Sequence, residues 1–212
     1  MSIKVKNYIV GTLETNAYVV YDTDSREAMI IDPGAEPDFL YENIKNEKLN
    51  LKYIIATHGH FDHVLGINRL RTLTNAKSCM SVKDLEIMKY LFSIGLFVVC
   101  TEPTEMPVFD FYLDENTEFK IGSTIFKVIV TPGHSPGGIC IYGAGMLFSG
   151  DTLFYRGEGR TDIAEGNEKM LQKSLLKLMR FDENTIVYPG HGPITKISEE
   201  KRFNRLILKN YK

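Results

Sequence analysis

The chain has 212 residues, 43% hydrophobic and 25% charged, with a formal net charge of −2. That balance suits a globular chain with a sizeable core. It carries no basic surplus of the kind that draws a protein to nucleic acid or to acidic membranes. The start, MSIKVKNYIV, has no apolar run of a secretion signal, and no stretch reaches transmembrane length. Cys79, Cys100 and Cys140 are odd in number and far apart, so they read as small buried hydrophobes in a reducing compartment. The expectation is a cytoplasmic protein, monomer or homodimer, with no membrane and no nucleic-acid partner.

Ile3–Val10 and residues 17–21 alternate and are rich in β-branched side chains, with Gly11 between them, which predicts an antiparallel pair. Residues 27–32 form a third strand, closed by the turn Asp32-Pro33-Gly34. Pro37 suits the first position of a helix running to about Lys48, with Phe39, Leu40 and Ile44 facing inward. The apolar run 51–56 predicts a buried strand, and residues 64–70 have the spacing of a helix. Residues 76–81 predict a strand, and 82–91 a helix with Leu85, Met88 and Leu91 on one face. Residues 92–110 mix apolar side chains with three acids and two prolines. They fit a flap beside a pocket, an element packed on a second subunit, or plain core.

Residues 119–121 and 125–130 make a hairpin around Gly122-Ser123, and residues 138–142 and 145–149 make another. Asn167 caps a helix whose Met170, Leu171, Leu175 and Leu178 face the core. Residues 185–188 are a short strand, and 198–208 a closing helix. Strands and helices alternate without a linker or repeat, which predicts one α/β unit of several layers over residues 1–212.

The chemistry concentrates in residues 57–63, THGHFDH. Gly59 breaks the preceding strand and lets the backbone turn, so His58, His60, Asp62 and His63 project into one small volume. The same device, an apolar strand followed by a glycine turn, presents His134, Asp151 and His191. All five histidines of the chain lie in these turns. Imidazole and carboxylate together are ligands for zinc, iron or manganese. A mononuclear site needs three or four ligands, whereas seven fit two metals that share a carboxylate.

HxHxDH, a single histidine about seventy residues later, GD and a final GH form a pattern that resembles the metallo-β-lactamase superfamily. Residues 57–63, 132–134, 150–151 and 190–191 match it in order. The resemblance implies a four-layer αββα sandwich with the metals at one edge of the sheets. It implies that His58, His60 and His134 bind one divalent ion, that Asp62, His63 and His191 bind the other, and that Asp151 bridges. Zinc is the first expectation for both, with iron and manganese as alternatives. Asp62 and Asp151 would be catalytic together with a hydroxide held between the cations.

Gly150-Asp151-Thr152-Leu153-Phe154 followed by Gly159-Arg160-Thr161-Asp162 is similar to the glyoxalase II branch, the hydroxyacylglutathione hydrolases and their short relatives. That implies hydrolysis of a small-molecule thioester, with Arg160 and Arg156 as candidate cations for the carboxylate of the thiol carrier. The helical C-terminal unit that contacts glutathione in the long enzymes has no counterpart after His191, which widens the range of carriers. Persulfide dioxygenases, which use one iron, share GRTD-like sequences, and a hydrolase of another ester or lactone is a further alternative.

Overall fold

The computed structural model describes residues 2–93, 105–163 and 165–210. The sequence reading of residues 92–110 as flap or subunit contact falls mainly on 94–104, outside the described residues, as does Cys100.

Two six-stranded mixed sheets face each other. One runs in the order β1 (Ile3–Val10), β2 (Thr15–Asp22), β3 (Glu27–Ile31), β4 (Asn50–Ile55), β5 (Lys77–Met80) and β6 (Phe111–Tyr112). In the other, β7 (Glu118–Ile121), β8 (Thr124–Val130), β9 (Ile139–Gly143) and β10 (Met146–Gly150) form an antiparallel meander. A two-residue ribbon of β11 (Leu153–Phe154) and β12 (Gly157–Glu158) follows. β13 (Ile186–Pro189) then returns parallel to β10, and β14 (Thr195–Lys196) closes that edge.

The alternation of β2 shows how the layers arise. Tyr18 and Val20 point between the sheets, where they join Met29, Ile31, Phe119, Phe126, Ile141 and Phe148. Ala17, Val19 and Tyr21 point outward with Ala28 and Ile30. On that outer face lie the helices α1 (Pro37–Asn46), α3 (Ile67–Thr74) and α4 (Leu85–Ser93), with the single turn α2 (Phe61–Val64) between α1 and α3 in the chain. The second sheet is covered by α5 (Glu168–Leu178) and by α6 (Ile197–Phe203) and α7 (Arg205–Asn210). A strand buried on both faces favours a continuous apolar run, and β2, buried along its whole length, is apolar from Ala17 to Tyr21. The result is the expected helix–sheet–sheet–helix stack.

Local chemistry sets the helix ends. Pro37 opens α1, with Asp38 in the first turn and Lys45 in the last, as the macrodipole favours. Asn167 caps α5 by accepting a hydrogen bond from Met170 N at 3.0 Å. Leu171, Leu175 and Leu178 then face the second sheet, and each contributes about 1.5–3 kcal/mol by leaving water.

Several expectations need correction. Phe39 is 51% exposed and meets Tyr8 edge-on at the rim of the outer layer, while Leu40 and Ile44 alone fill the core there. Met170 is 42% exposed, and Ser174 occupies the inward position instead. The helix expected over 82–91 begins as a 3-10 turn at Val82–Asp84, and its buried face is Ile87, Met88 and Leu91 rather than Leu85. The helix expected at 64–70 is split at Gly66, whose N–H donates to Pro33 O instead of continuing the spiral. The closing helix is likewise two pieces, broken at Asn204. Cys79 and Cys140 are free and buried, as read.

Candidate metal centre

β3, β4, β8, β10 and β13 all end at one edge of the stack, and each turn there delivers a polar residue. Asp32 follows β3, His58 follows β4, His134 follows β8, Asp151 follows β10 and His191 follows β13. Ligand sites in α/β sheets collect outside the carboxyl ends of the strands for this reason. The two sheets are joined at this edge by a hydrogen bond from Ile139 N to Thr57 O.

Three overlapping groups of ligand atoms result. His58, His60 and His134 form one, Asp62, His63 and His191 another, and His58, His63 and Asp151 link them, each group within 4.8 Å. His134 Nε2 is 2.9 Å from His60 Nδ1. His191 Nε2 lies 3.2 Å from Asp62 Oδ2 and 3.3 Å from His63 Nε2. Asp151 Oδ2 stands 3.6 Å from both His134 Nε2 and His191 Nε2, and Oδ1 stands 3.5 Å from His63 Nε2. The structure places all seven of these side chains in overlapping groups at one edge.

The outward nitrogens are held by the fold, which leaves the inward ones for the centre. His134 Nδ1 pairs with Arg160 O at 2.8 Å, and His191 Nδ1 with Leu13 O at 3.0 Å. His63 Nδ1 faces Asp32 Oδ2 at 3.0 Å, and His58 Nδ1 lies 3.1 Å from Thr57 Oγ1. Asp32 also accepts from Thr57 N and Thr57 Oγ1. The loop that carries His191 is pinned by Asn16 Nδ2 and Tyr18 OH, both donating to Pro189 O.

Electrostatics divides the site. Burial pushes His58 well below the ordinary imidazole range and His60 down to about 3, with neighbouring imidazoles adding to the effect. Burial pulls His63 and His191 the same way, but the carboxylates of Asp62 and Asp151 outweigh it, and both are raised. Asp62 is held well below the carboxylate range: burial opposes this, and His63 and His191 win. Burial pushes Asp151 up, against the pull of His63, His134 and His191.

Among the buried atoms with no hydrogen-bond partner are His58 Nε2 and Asp151 Oδ1. A buried polar atom without a partner costs roughly 1–3 kcal/mol. Here both point into a set of nitrogen and oxygen donors that suits divalent cations, so the residues fit a metal pair.

The two arginines behave otherwise. The Arg160 side chain is 63% exposed and forks onto Asp162 through Nε and Nη2 at 2.7 and 2.9 Å. Its backbone carbonyl, not its guanidinium, reaches the centre. Arg156 lies over the rings of Tyr155 and Phe203, and its N–H donates to Glu200. The sequence reading did not single out Asp32 as more than a turn residue, and it passed over Asp84 and the carbonyls of Leu13 and Arg160 entirely.

The metallo-beta-lactamase superfamily profile matches residues 10–191. The chain belongs to that superfamily. It is 33% identical over 205 residues to the hydroxyacylglutathione hydrolase GloC of Haemophilus influenzae, across 92% of this chain and 93% of that protein. Among solved structures it resembles the B3 metallo-beta-lactamase BLEG-1, with a TM-score of 0.87 and 34% identity over 96% of this chain and 99% of the other. It also resembles TTHA1623 in a di-iron-bound form, with a TM-score of 0.83 and 32% identity over 95% and 99%. Two ligand clusters in this superfamily fold make a binuclear metalloenzyme site. Among the described residues no helix is long and apolar enough to cross a membrane.

Proposed function

We propose that the chain is a two-metal hydrolase of activated acyl groups in small molecules: thioesters of the hydroxyacylglutathione kind, or another ester or lactone. The placement of Asp151 carries this reading, because its Oδ2 is equidistant from His134 and His191. His58, His60 and His134 would hold one cation, Asp62, His63 and His191 the other, and Asp151 both. Two divalent ions there supply polarisation of a carbonyl and a water ionised near pH ~7.

The chain itself fixes the ligands, and the serines beside them do not compete as nucleophiles. Ser135 Oγ donates to the buried Asp84 carboxylate, and Ser149 Oγ donates to Leu153 O, so neither hydroxyl is paired with an imidazole base. Every histidine belongs to the ligand set, so a leaving group must depart without an imidazole acid, which a thiolate can do. Phe154, edge-on to His191 at 6.2 Å, and the Leu13 turn supply apolar wall for the acyl group. Arg160 and Arg156 are held away in their own contacts, and a role for them in gripping a carboxylate requires the Arg160–Asp162 fork to open.

Likeness to a hydroxyacylglutathione hydrolase supports the thioester, and likeness to a β-lactamase supports a different carbonyl. The same donors suit iron, so a second reading is an iron-dependent oxidation of a persulfide with a single ion in place. Metal analysis of the purified chain, followed by parallel assays, separates them. Two metals per chain with turnover of S-lactoylglutathione, an aryl thioester or a lactone supports hydrolysis. One iron per chain with persulfide-dependent oxygen uptake overturns it. Within the thioesters, truncating the thiol should cost less than about a hundredfold in kcat/KM, roughly 2.7 kcal/mol.

A further inference from the structure

Asp84 ends the short turn ahead of α4, and its side chain is completely buried. Its contacts all lead to the metal edge. Oδ2 accepts from Gly59 N at 2.9 Å and from Ser135 Oγ at 2.7 Å, and Oδ1 accepts from Gly137 N. Gly59 stands between His58 and His60 on the first sheet's loop. Ser135 and Gly137 follow His134 on the second sheet's loop. One carboxylate therefore ties together the two loops that carry the all-histidine cluster.

The glycines on either side of it are there for room. Neither Gly59 nor Gly137 has a left-handed φ, so the sharp turn expected of Gly59 is not what glycine supplies. A Cβ on Gly59 would lie 2.9 Å from Asp84 Cβ, and one on Gly137 would lie 2.7 Å from Asp84 Oδ1. Both loops close onto the carboxylate as far as backbone allows. A buried carboxylate is costly unless donors satisfy it, and these three donors do so. Its contacts do not include the other cluster, where Asp32 holds His63 directly.

We propose that Asp84 is the positioning residue of the His58–His60–His134 cluster, clamping loops of opposite sheets so that one ion position, and not the other, depends on it. This rests on the two-cation reading above. Outer partners of ligands typically change metal affinity by about 10–100-fold when removed.

Asp84→Asn tests it, because an amide nitrogen cannot accept from a backbone N–H. The full-length chain is prepared in two backgrounds, His191→Ala to leave the all-histidine position and His60→Ala to leave the other, and each is titrated with zinc. Asp84→Asn should weaken zinc about 10–100-fold in the His191→Ala background. In the His60→Ala background it should change little. Equal weakening in both backgrounds, or none in either, overturns the proposal. Ser135→Ala removes one donor without touching the carboxylate and should act in the same direction by less. If Asp84→Asn shows no cooperative thermal transition, Ser135→Ala decides by the same two titrations. A parent chain that holds a single ion at every loading sinks the two-cation reading. The Asp84 claim then stands or falls on whether that ion needs His60 and is weakened by Asp84→Asn.

Discussion

The two halves of the metal centre are built on different principles. The half formed by His58, His60 and His134 is all imidazole and drawn from both sheets, and burial holds His58 and His60 below the usual imidazole range. No carboxylate touches the outward nitrogens of its rings: Thr57 and the Arg160 carbonyl meet two of them, and Asp84 grips only the loops. The half formed by Asp62, His63 and His191 carries negative charge of its own. Carboxylates hold its imidazoles above the usual range, and Asp32 bonds one ring directly. The first half depends on loop geometry, the second on charge. Asp151 is placed against both.

Five substitutions can break or sharpen that contrast. Asp151→Ala should have the largest effect, emptying both positions and abolishing turnover; elemental analysis that still finds two ions would deny it the shared role. His60→Ala and His191→Ala should each leave one ion per chain, and a variant that drops to zero would show that the halves do not bind separately. Asp32→Asn should weaken the second position by about 10–100-fold while sparing the first, the mirror image of Asp84→Asn. Zinc titration in the two single-position backgrounds checks this. Arg160→Ala should be the mildest, with metal content unchanged and KM raised by less than about tenfold, or 1.4 kcal/mol. Loss of metal in that variant would mean that the side chain, and not only the carbonyl, supports His134.

The candidate ligands were legible because each lies in a glycine-containing loop just past an apolar strand, a local pattern. Their supports were not, because support is a tertiary matter. Asp32 sits in Asp-Pro-Gly and reads as a turn aspartate, yet its oxygens serve Thr57 and His63. Asp84 comes three residues after Ser81, the spacing of a helix cap, and Ser81 Oγ does accept from Lys83 N. That local explanation hides the contacts to Gly59 and Gly137, residues 25 and 53 positions away.

That the chain forms several layers followed from the alternation of strands and helices, and the layer order from the family resemblance. β6, β11, β12 and β14 have two residues each, too few for any period to register. Phe39 was placed inward because it neighbours the Leu40–Ile44 stripe. The helix rolls so that only those two reach the core, and Phe39 settles on Tyr8. Helix breaks at Gly66 and Asn204 arise from bonds to distant partners, Pro33 O in one case and Gly157 O in the other.

His63 and His191 lie 128 positions apart along the chain, and His60 and His134 lie 74 apart. A cation shared between such residues is a cross-link that closes a very long loop, as a disulfide does, but reversibly. Closing long loops is what slows folding and what a cross-link most restricts in the unfolded chain. The ion thus acts as a late staple: it can bind with full strength only after the two sheets have docked, and it then resists their separation. At a free metal concentration a hundred times its dissociation constant, that staple adds about 2.7 kcal/mol to the folded state. A chelator should therefore lower the melting temperature even of variants that have no activity to lose.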